Sequence, residues 1–451
     1  MSGTTKALRS GINKWVKRVA GWPYAGRVRR AWTMTAEEIA DYQRLVLHRN
    51  YAYARQCVPF YRDQPELYPP LEKTLSAVEV LARLPILDKA VLRNQMEDFH
   101  AHPLPLLTSS HTTSGTSGTP LRFHCTIWER GGTTAILDNW HRRILGRYGP
   151  LTLNLTGFAT PPPGSRELYW RDPLTGDVFL SIYSINEANR ATIAKFIREM
   201  RPQLIFGYAS AVHNLAQVLN SDVAEDKHSR VAIVASEILF PNWRETIQTN
   251  LCRRVYDQYG SQEGAHLALE CEHGQMHLHP LVGLLEIVDD AGRPVPAGAS
   301  GQVLVTSLMR RTTPVFRYRL GDTVESTGFA TDCPCGLAWP TIGSIGGRSE
   351  DLVVTRDGRR IGYLCFHATK NLPGIAESQL VQTDYERFVF NLVLKDPTVE
   401  RSALEAAILG QLRLRLQTEI AVEFRYLAEI PREGGRGKFK SVVVAFAGEC
   451  P

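Results

Sequence analysis

LTLNLTGF (151–158), ATIAKFIREM (191–200), QLIFGY (203–208), AVHNLAQVLN (211–220) and VAIVAS (231–236) follow one another in the chain. The first, third and fifth are apolar runs of strand length. The second and fourth repeat apolar residues at the three-to-four spacing of an amphipathic helix. Such alternation predicts an α/β fold in which a sheet is flanked by helices, over roughly residues 150–350. Outward from there, LLEIVDDAGRPVPAGASGQVLVTSL (284–308) changes character. Its runs are broken by Asp290, Gly292, Pro294, Pro296, Gly298 and Gly301, the punctuation of an antiparallel β-rich subdomain. Beyond Gly346-Gly347, QLVQTDYERFVFNLVLK (379–395) and ERSALEAAILGQLRLRLQ (400–417) supply the strands and helix of a small α+β unit. The expected division is a large domain over 1–349 and a small C-terminal domain over 350–451. Upstream, TAEEIADYQRLVLHRNYAYARQCV (35–58) predicts a helix capped by Thr35, with acidic residues in its first turn.

A chain of 451 residues, 43% hydrophobic and 22% charged, exceeds what one core usually supports and is neither disordered nor membrane-spanning in composition. The net charge of +6 suits an anionic small substrate and does not imply nucleic acid. Lys6, Arg9, Lys14, Lys17, Arg18, Arg27, Arg29 and Arg30 all precede the first acidic residue, Glu37. Ile12, Trp15, Val16 and Val19 recur there at helical spacing. That makes either a solvated helix lying on its own protein or a basic helix in peripheral contact with a membrane. Eight cysteines in a chain this long are no disulfide scaffold, and Cys57, Cys125, Cys252, Cys365 and Cys450 are scattered as thiols of a reduced cytoplasm.

The segment Thr113-Ser114-Gly115-Thr116-Ser117-Gly118-Thr119-Pro120 alternates small hydroxyls with glycine, which lets backbone N–H groups approach a polyphosphate. It lacks the Gly-Lys-Ser/Thr ending of a P-loop, and a merely flexible loop is the competing reading. Downstream stand Tyr256-Asp257-Gln258-Tyr259-Gly260-Ser261-Gln262-Glu263-Gly264 and Arg317-Tyr318-Arg319-Leu320-Gly321-Asp322. Glu263 is a candidate Mg²⁺ ligand, Tyr259 a candidate adenine contact, and Asp322 a candidate acceptor for two ribose hydroxyls. Against these stand a helix-starting acid, a core aromatic, and a turn residue paired with Arg317 or Arg319. Gly347-Arg348-Ser349-Glu350-Asp351 and Arg436-Gly437-Lys438-Phe439-Lys440 complete the ordered set.

In that order and spacing the chain resembles the adenylate-forming superfamily, and within it the phenylacetate–CoA ligase family with its capsular-polysaccharide-linked, CapK-like branch. The resemblance extends to Val58-Pro59-Phe60-Tyr61-Arg62, Gly207-Tyr208-Ala209-Ser210, Ala235-Ser236-Glu237-Ile238 and Thr313-Pro314-Val315-Phe316. It implies an enzyme that activates a small carboxylic acid with ATP and Mg²⁺ as its acyl-adenylate and passes the acyl group to CoA. In the family's pattern Thr113, Ser114, Gly115, Thr116, Ser117, Gly118 and Thr119 hold the phosphates. Glu263 holds the metal. Ser236, Glu237, Ile238, Tyr259, Gly260 and Ser261 line the adenine side, and Asp322 and Arg348 bind the ribose. Lys438 matches the catalytic lysine, and Gly434, Gly435 and Gly437 around it suit a mobile loop. The small domain is expected to swing about Glu350, where many relatives have Asp or Lys. Asp351-Leu352-Val353-Val354-Thr355-Arg356-Asp357-Gly358-Arg359-Arg360-Ile361 departs from the more apolar glycine loop of phenylacetate–CoA ligases proper. That weakens CoA as the acceptor and leaves an amine, a hydroxyl or a carrier thiol as alternatives. A non-catalytic nucleotide-binding or scaffold protein is the reading from another class.

Cys271, His277, Cys333 and Cys335 supply a C-x-C pair plus a Cys and a His from CEHGQMH (271–277), enough for a closed, structural, tetrahedral Zn²⁺ site. His273 or His279 stands as the alternative fourth ligand.

Overall fold

The computed structural model of the chain describes residues 3–446 other than 113–120, 157–166, 174–175, 186, 262, 349–352, 355, 357–359, 362–363, 370–371, 373, 417, 432–439 and 441. Its centre is a nine-stranded sheet. From one edge the strands run Thr341–Ile342, Met276–Leu278, Leu267–Glu270, Arg254–Gly260, Val231–Ala235, Leu204–Gly207, Thr152–Leu155, Val178–Leu180 and Tyr169–Arg171. The five strands from Arg254–Gly260 to Val178–Leu180 pair in parallel, and antiparallel strands close both edges.

Strands buried on both faces need helices on both faces, and the two-residue period shows where they go. Ile205, Ala232, Val234 and Val255 face one way, into a core with Val212, Trp243 and Ile247 from the helices Ala209–Leu219 and Pro241–Asn250. Leu204, Val231, Ile233 and Tyr256 face the other, against Val28 and Ala31 of the N-terminal helix Gly3–Ala31 and Ile136 and Trp140 of the helix Ile127–Leu145. These two helices cross closely. A Cβ on Gly21 would lie 2.6 Å from the Gly131 carbonyl oxygen, and Arg18 pairs with Asp138 at 2.9 Å. From Arg18 onward the basic N-terminal helix therefore lies on its own protein. No described helix is long and apolar enough to cross a membrane.

Between Thr152–Leu155 and Leu204–Gly207 the chain order reverses. It first leaves Thr152–Leu155 for Val178–Leu180 on one side, then returns to Leu204–Gly207 on the other. Parallel sheets place their ligands at the carboxyl ends of strands beside such a reversal. Leu155, Gly207, Ala235 and Gly260 end there.

The β-rich stretch forms a four-stranded antiparallel sheet, Gly283–Val288, Ser300–Ser307, Tyr318–Glu325 and Ile345–Arg348. The helix expected over 35–58 spans Ala36–Cys57, and Thr35 with Glu38 makes a reciprocal capping box. The C-terminal residues build a sheet of Ala421–Tyr426, Arg387–Leu394, Ile375–Asp384 and Val442–Val444, with the helix Arg401–Leu416 packed on it. Asn242 Nδ2 donates to the Ile375 carbonyl at 3.0 Å, and Trp243 Nε1 to that of Ala376 at 2.9 Å. Those bonds seat this unit on the helix Pro241–Asn250.

Candidate functional site

The strand Arg254–Gly260 carries Tyr259 to the carboxyl edge of the large sheet, and Asp322 lies within Tyr318–Glu325, an inner strand of the four-stranded one. The two meet where the Tyr259 hydroxyl donates to Asp322 Oδ2 at 2.8 Å. Asp322 stands opposite Arg348 in the ladder, so both candidate ribose residues occupy one rung. Neither arginine weighed as a partner for Asp322 is paired with it by an ion pair. Arg317 makes a bidentate contact with Glu286 at 3.0 and 3.1 Å, and Arg319 bonds Asp88 at 2.8 Å. The Tyr259 ring lies beside His266, centroids 4.5 Å apart. Burial holds His266 neutral by lowering it to about 3.

One strand over, Ser236 follows Val231–Ala235 with φ of 70°, a left-handed conformation that costs a serine free energy and recurs at binding sites. Glu237 is turned back by that bend and accepts from the Ser210 backbone N–H at 2.8 Å. Its carboxylate thus sits at the start of the helix Ala209–Leu219, where a negative charge is favoured. Glu263 lies in the turn after Gly260 and is 9% exposed. Gly264 next to it has φ of +63°, and a Cβ there would strike the Arg310 guanidinium. Arg310 is itself 9% exposed. Its Nη1 and the Ser261 hydroxyl are buried with no hydrogen-bond partner among the described residues.

Thr113 to Thr119 lie outside the described residues, as do Ser349, Glu350 and Lys438; nothing is described of the Arg348 side chain. The strands flanking the first of these segments are described: Thr108–Thr112 pairs with Arg122–Thr126 as a hairpin. Its root is held by Glu129, a residue the sequence reading passed over. Glu129, 5% exposed, accepts from Thr126 N–H at 2.6 Å, Arg311 N–H at 2.6 Å, Thr312 N–H at 3.1 Å and the Thr312 hydroxyl at 2.7 Å. Thr313 adds a second tie, accepting from the His124 N–H at 3.0 Å and meeting His100 Nδ1 at 3.0 Å. One carboxylate thereby fixes the hairpin against the segment that leads into Asp322. Glu129→Ala would strand several buried donors at once, which costs on the order of 3–5 kcal/mol. The expected result is a lowered denaturant midpoint, partly restored in Glu129→Gln, which keeps an acceptor oxygen.

Asp257, on the strand leading to Tyr259, is half-buried beside Glu270. Burial first, and the neighbouring Glu270 carboxylate second, push it up to about 7, while Arg244 pulls the other way. With its folded value above the unfolded one, the native state binds the extra proton between them. Its contribution to stability is full below about pH 4 and is lost as pH rises through about 7. Asp257→Asn is therefore expected to unfold at a higher temperature than the parent at about pH 8, the difference fading toward about pH 4. Equal melting curves at both ends would contradict that assignment.

A second cluster lies at the antiparallel end of the large sheet. Cys271 follows Leu267–Glu270, His277 lies in Met276–Leu278, and Cys333 and Cys335 precede the edge strand Thr341–Ile342. The four donor atoms lie within 4.8 Å of one another. Cys271 Sγ is 3.7 Å from Cys333 Sγ, and Cys335 Sγ is 3.3 Å from His277 Nε2. His277 Nδ1 meets the Trp339 carbonyl at 3.1 Å, which turns Nε2 toward the sulfurs. Of the alternatives, His273 meets Cys271 Sγ through its backbone N–H, and His279 is packed on Trp339.

Residues 353–445 match the family model of the CapK C-terminal domain. Protein CapK of Staphylococcus aureus is 23% identical over 336 residues, covering 72% of each chain. The phenylacetate-coenzyme A ligase of Escherichia coli K12 is 27% identical over 354 residues, covering 72% of this chain and 74% of that one. The chain is a homologue of CapK and the phenylacetate–CoA ligases. Among solved structures, 2-hydroxyisobutyryl-CoA ligase in the postadenylation state shares this homologue's fold. The TM-score is 0.67 at 21% identity, over 92% of this chain and 91% of that one. The same ligase in the thioesterification state gives 0.56 at 22% identity, over 92% and 91%.

Proposed function

We propose that this chain is an adenylate-forming ligase of the reduced cytoplasm that activates a carboxylic acid with ATP and then transfers the acyl group to CoA. The observation that carries the proposal is the rung of Asp322 and Arg348 with the Tyr259 hydroxyl bonded to Asp322, at the carboxyl edge of the parallel strands. The relatives named as phenylacetate–CoA ligases, and a neighbour solved with an acyl-AMP, support the same chemistry. ATP fits the residues present, because buried Arg310 Nη1 and Ser261 Oγ are donors in want of an acceptor and polyphosphate supplies acceptors.

In the first step a carboxylate oxygen of the acid attacks the α-phosphorus, and the bond to pyrophosphate breaks. Charge gathers on the phosphoryl oxygens, so the protein's work is positioning and electrostatic stabilisation. Asp322 accepts from the ribose hydroxyls, with Arg348 beside it. Ser236 to Ile238 and Tyr259 to Ser261 border the base, and Thr113 to Thr119 surround the phosphates. Glu263 would hold Mg²⁺, which neutralises phosphate charge when bound. Lys438 brings a cation to the acid and the α-phosphate. In the second step a thiol sulfur attacks the acyl carbonyl and AMP leaves. Residues 350–451 act as the lid whose orientation separates the two steps.

The Cys271, His277, Cys333 and Cys335 cluster is read as a structural Zn²⁺ site. Tetrahedral Zn–S bonds place sulfurs about 3.8 Å apart, close to the 3.7 Å between Cys271 and Cys333. Four protein ligands leave no open position, so the ion would take no part in catalysis.

A second reading keeps the adenylation and gives the acyl group to an amine, a hydroxyl or a carrier thiol. It is favoured by the charged stretch Arg356-Asp357-Gly358-Arg359-Arg360. The deciding experiment measures pyrophosphate release from aryl, fatty, hydroxy and amino acids, each with and without CoA. Acid-dependent release with a thioester product supports transfer to CoA. Release indifferent to CoA selects the second reading, and no release with any acid leaves a non-catalytic nucleotide-binding protein.

A further inference from the structure

We propose that the outer face of the N-terminal helix is a docking surface for an anionic lipid bilayer, distinct from the ATP site. Three observations converge on that face. The first is which side of the helix is used for packing. Ala20, Gly21, Val28 and Ala31 are buried against the helix Ile127–Leu145 and the large sheet. With 3.6 residues per turn, the opposite side is Trp15, Val19, Trp22 and Gly26. Trp15 is 64%, Val19 46% and Trp22 79% exposed, and a Cβ on Gly26 would meet nothing within 4 Å.

The second observation is the residue type. Two tryptophans at a seven-residue spacing, with a valine between them, form one apolar stripe on a helix that needs none of it for packing. Indole rings gain most at the boundary between headgroups and acyl chains, where a flat apolar body and an N–H are both accommodated. The third is charge. Arg29 is exposed at the end of the stripe, Arg30 beside it is paired with Glu38 at 2.9 Å, and no acidic residue occurs before Glu37. Basic residues near an anionic surface are drawn to it, and more weakly as salt rises. A stripe of indoles on a segment of one sign of charge is complementary to anionic lipid rather than to a mixed-charge protein surface. Residues 18–31 are already held as a helix by the Arg18–Asp138 pair and the Gly21–Gly131 crossing, so docking requires little further ordering of this part of the chain.

The test is co-sedimentation of the full chain with phosphatidylcholine vesicles, with and without phosphatidylglycerol, over a range of salt. Binding is expected to the phosphatidylglycerol vesicles, to weaken as salt rises, and to fall about ten-fold or more in Trp15→Ser/Trp22→Ser. Both positions are exposed, so an unchanged melting curve and unchanged pyrophosphate release show that the variant is folded. No binding to either vesicle, or equal binding by the variant, overturns the proposal. So does an oligomer of the parent that the variant dissociates, because the face would then be an interface between copies.

Discussion

Lys438→Ala is expected to cut acid-dependent pyrophosphate release by about 10²–10³-fold while leaving ATP binding largely intact. A cation that bridges the substrate carboxylate and the α-phosphate matters most when charge is shared between them, so its loss falls on kcat. Asp322, Tyr259 and the other proposed nucleotide contacts are untouched, so affinity for ATP should survive. Lys438 itself lies outside the described residues, but its C-terminal root is fixed. Gln379 Nε2 donates to the Lys440 carbonyl at 3.0 Å, and Val442–Val444 pairs in parallel with Leu380–Gln382. Only Phe439 stands between Lys438 and the tethered Lys440. Lys438→Arg keeps the charge in a planar fork where a point charge is needed, and should recover only part of the rate. Single-turnover pyrophosphate release beside equilibrium ATP binding makes the comparison, and a mutant that turns over like the parent would remove Lys438 from the mechanism.

Purified protein is expected to carry one zinc ion per chain, and Cys335→Ser to lose it with a fall in stability on the order of 4 kcal/mol or more. The size follows from what the cluster joins. Met276 pairs with Glu270 on one side and with Ile342 on the other, so Cys271, His277 and the Cys333–Cys335 turn belong to three neighbouring strand segments of the large sheet. An ion there links the sheet's antiparallel end to its edge strand. Elemental analysis together with denaturant unfolding, with and without a chelator, checks the prediction. The residual folded fraction of the variant should still release pyrophosphate, since a closed site offers nothing to a substrate. Metal-free protein of undiminished stability would end the zinc reading.

What the sequence made legible follows the range of the interactions concerned. The strand and helix alternation at 151–236 is local periodicity, and each quoted run appears where it was placed. Thr35 with Glu38 was legible for the same reason, since a capping box closes within three residues. Thr126 with Glu129 has the same spacing and could have been read, but the donors on Arg311 and Thr312 lie about 180 residues away and left no trace in the pattern. Sequence leaves Asp322 open as a turn residue paired with Arg317 or Arg319. It is a strand residue through its ladder partner Arg348, and those arginines are taken by Glu286 and Asp88, distant acids no local rule could nominate. The choice among His273, His277 and His279 was closed to sequence because it depends on which ring faces Cys335.

The grip of Asn242 and Trp243 on the C-terminal unit takes hold of two main-chain oxygens, those of Ile375 and Ala376. A peptide carbonyl is present whatever side chain accompanies it. Substitutions at 375 or 376 therefore leave the grip standing, whereas a change at 242 or 243 removes a donor outright. These hydrogen bonds are thus open to mutation from one partner only. A C-terminal unit from another relative could be grafted onto this chain and still find its handhold, so long as its backbone arrives at the same place.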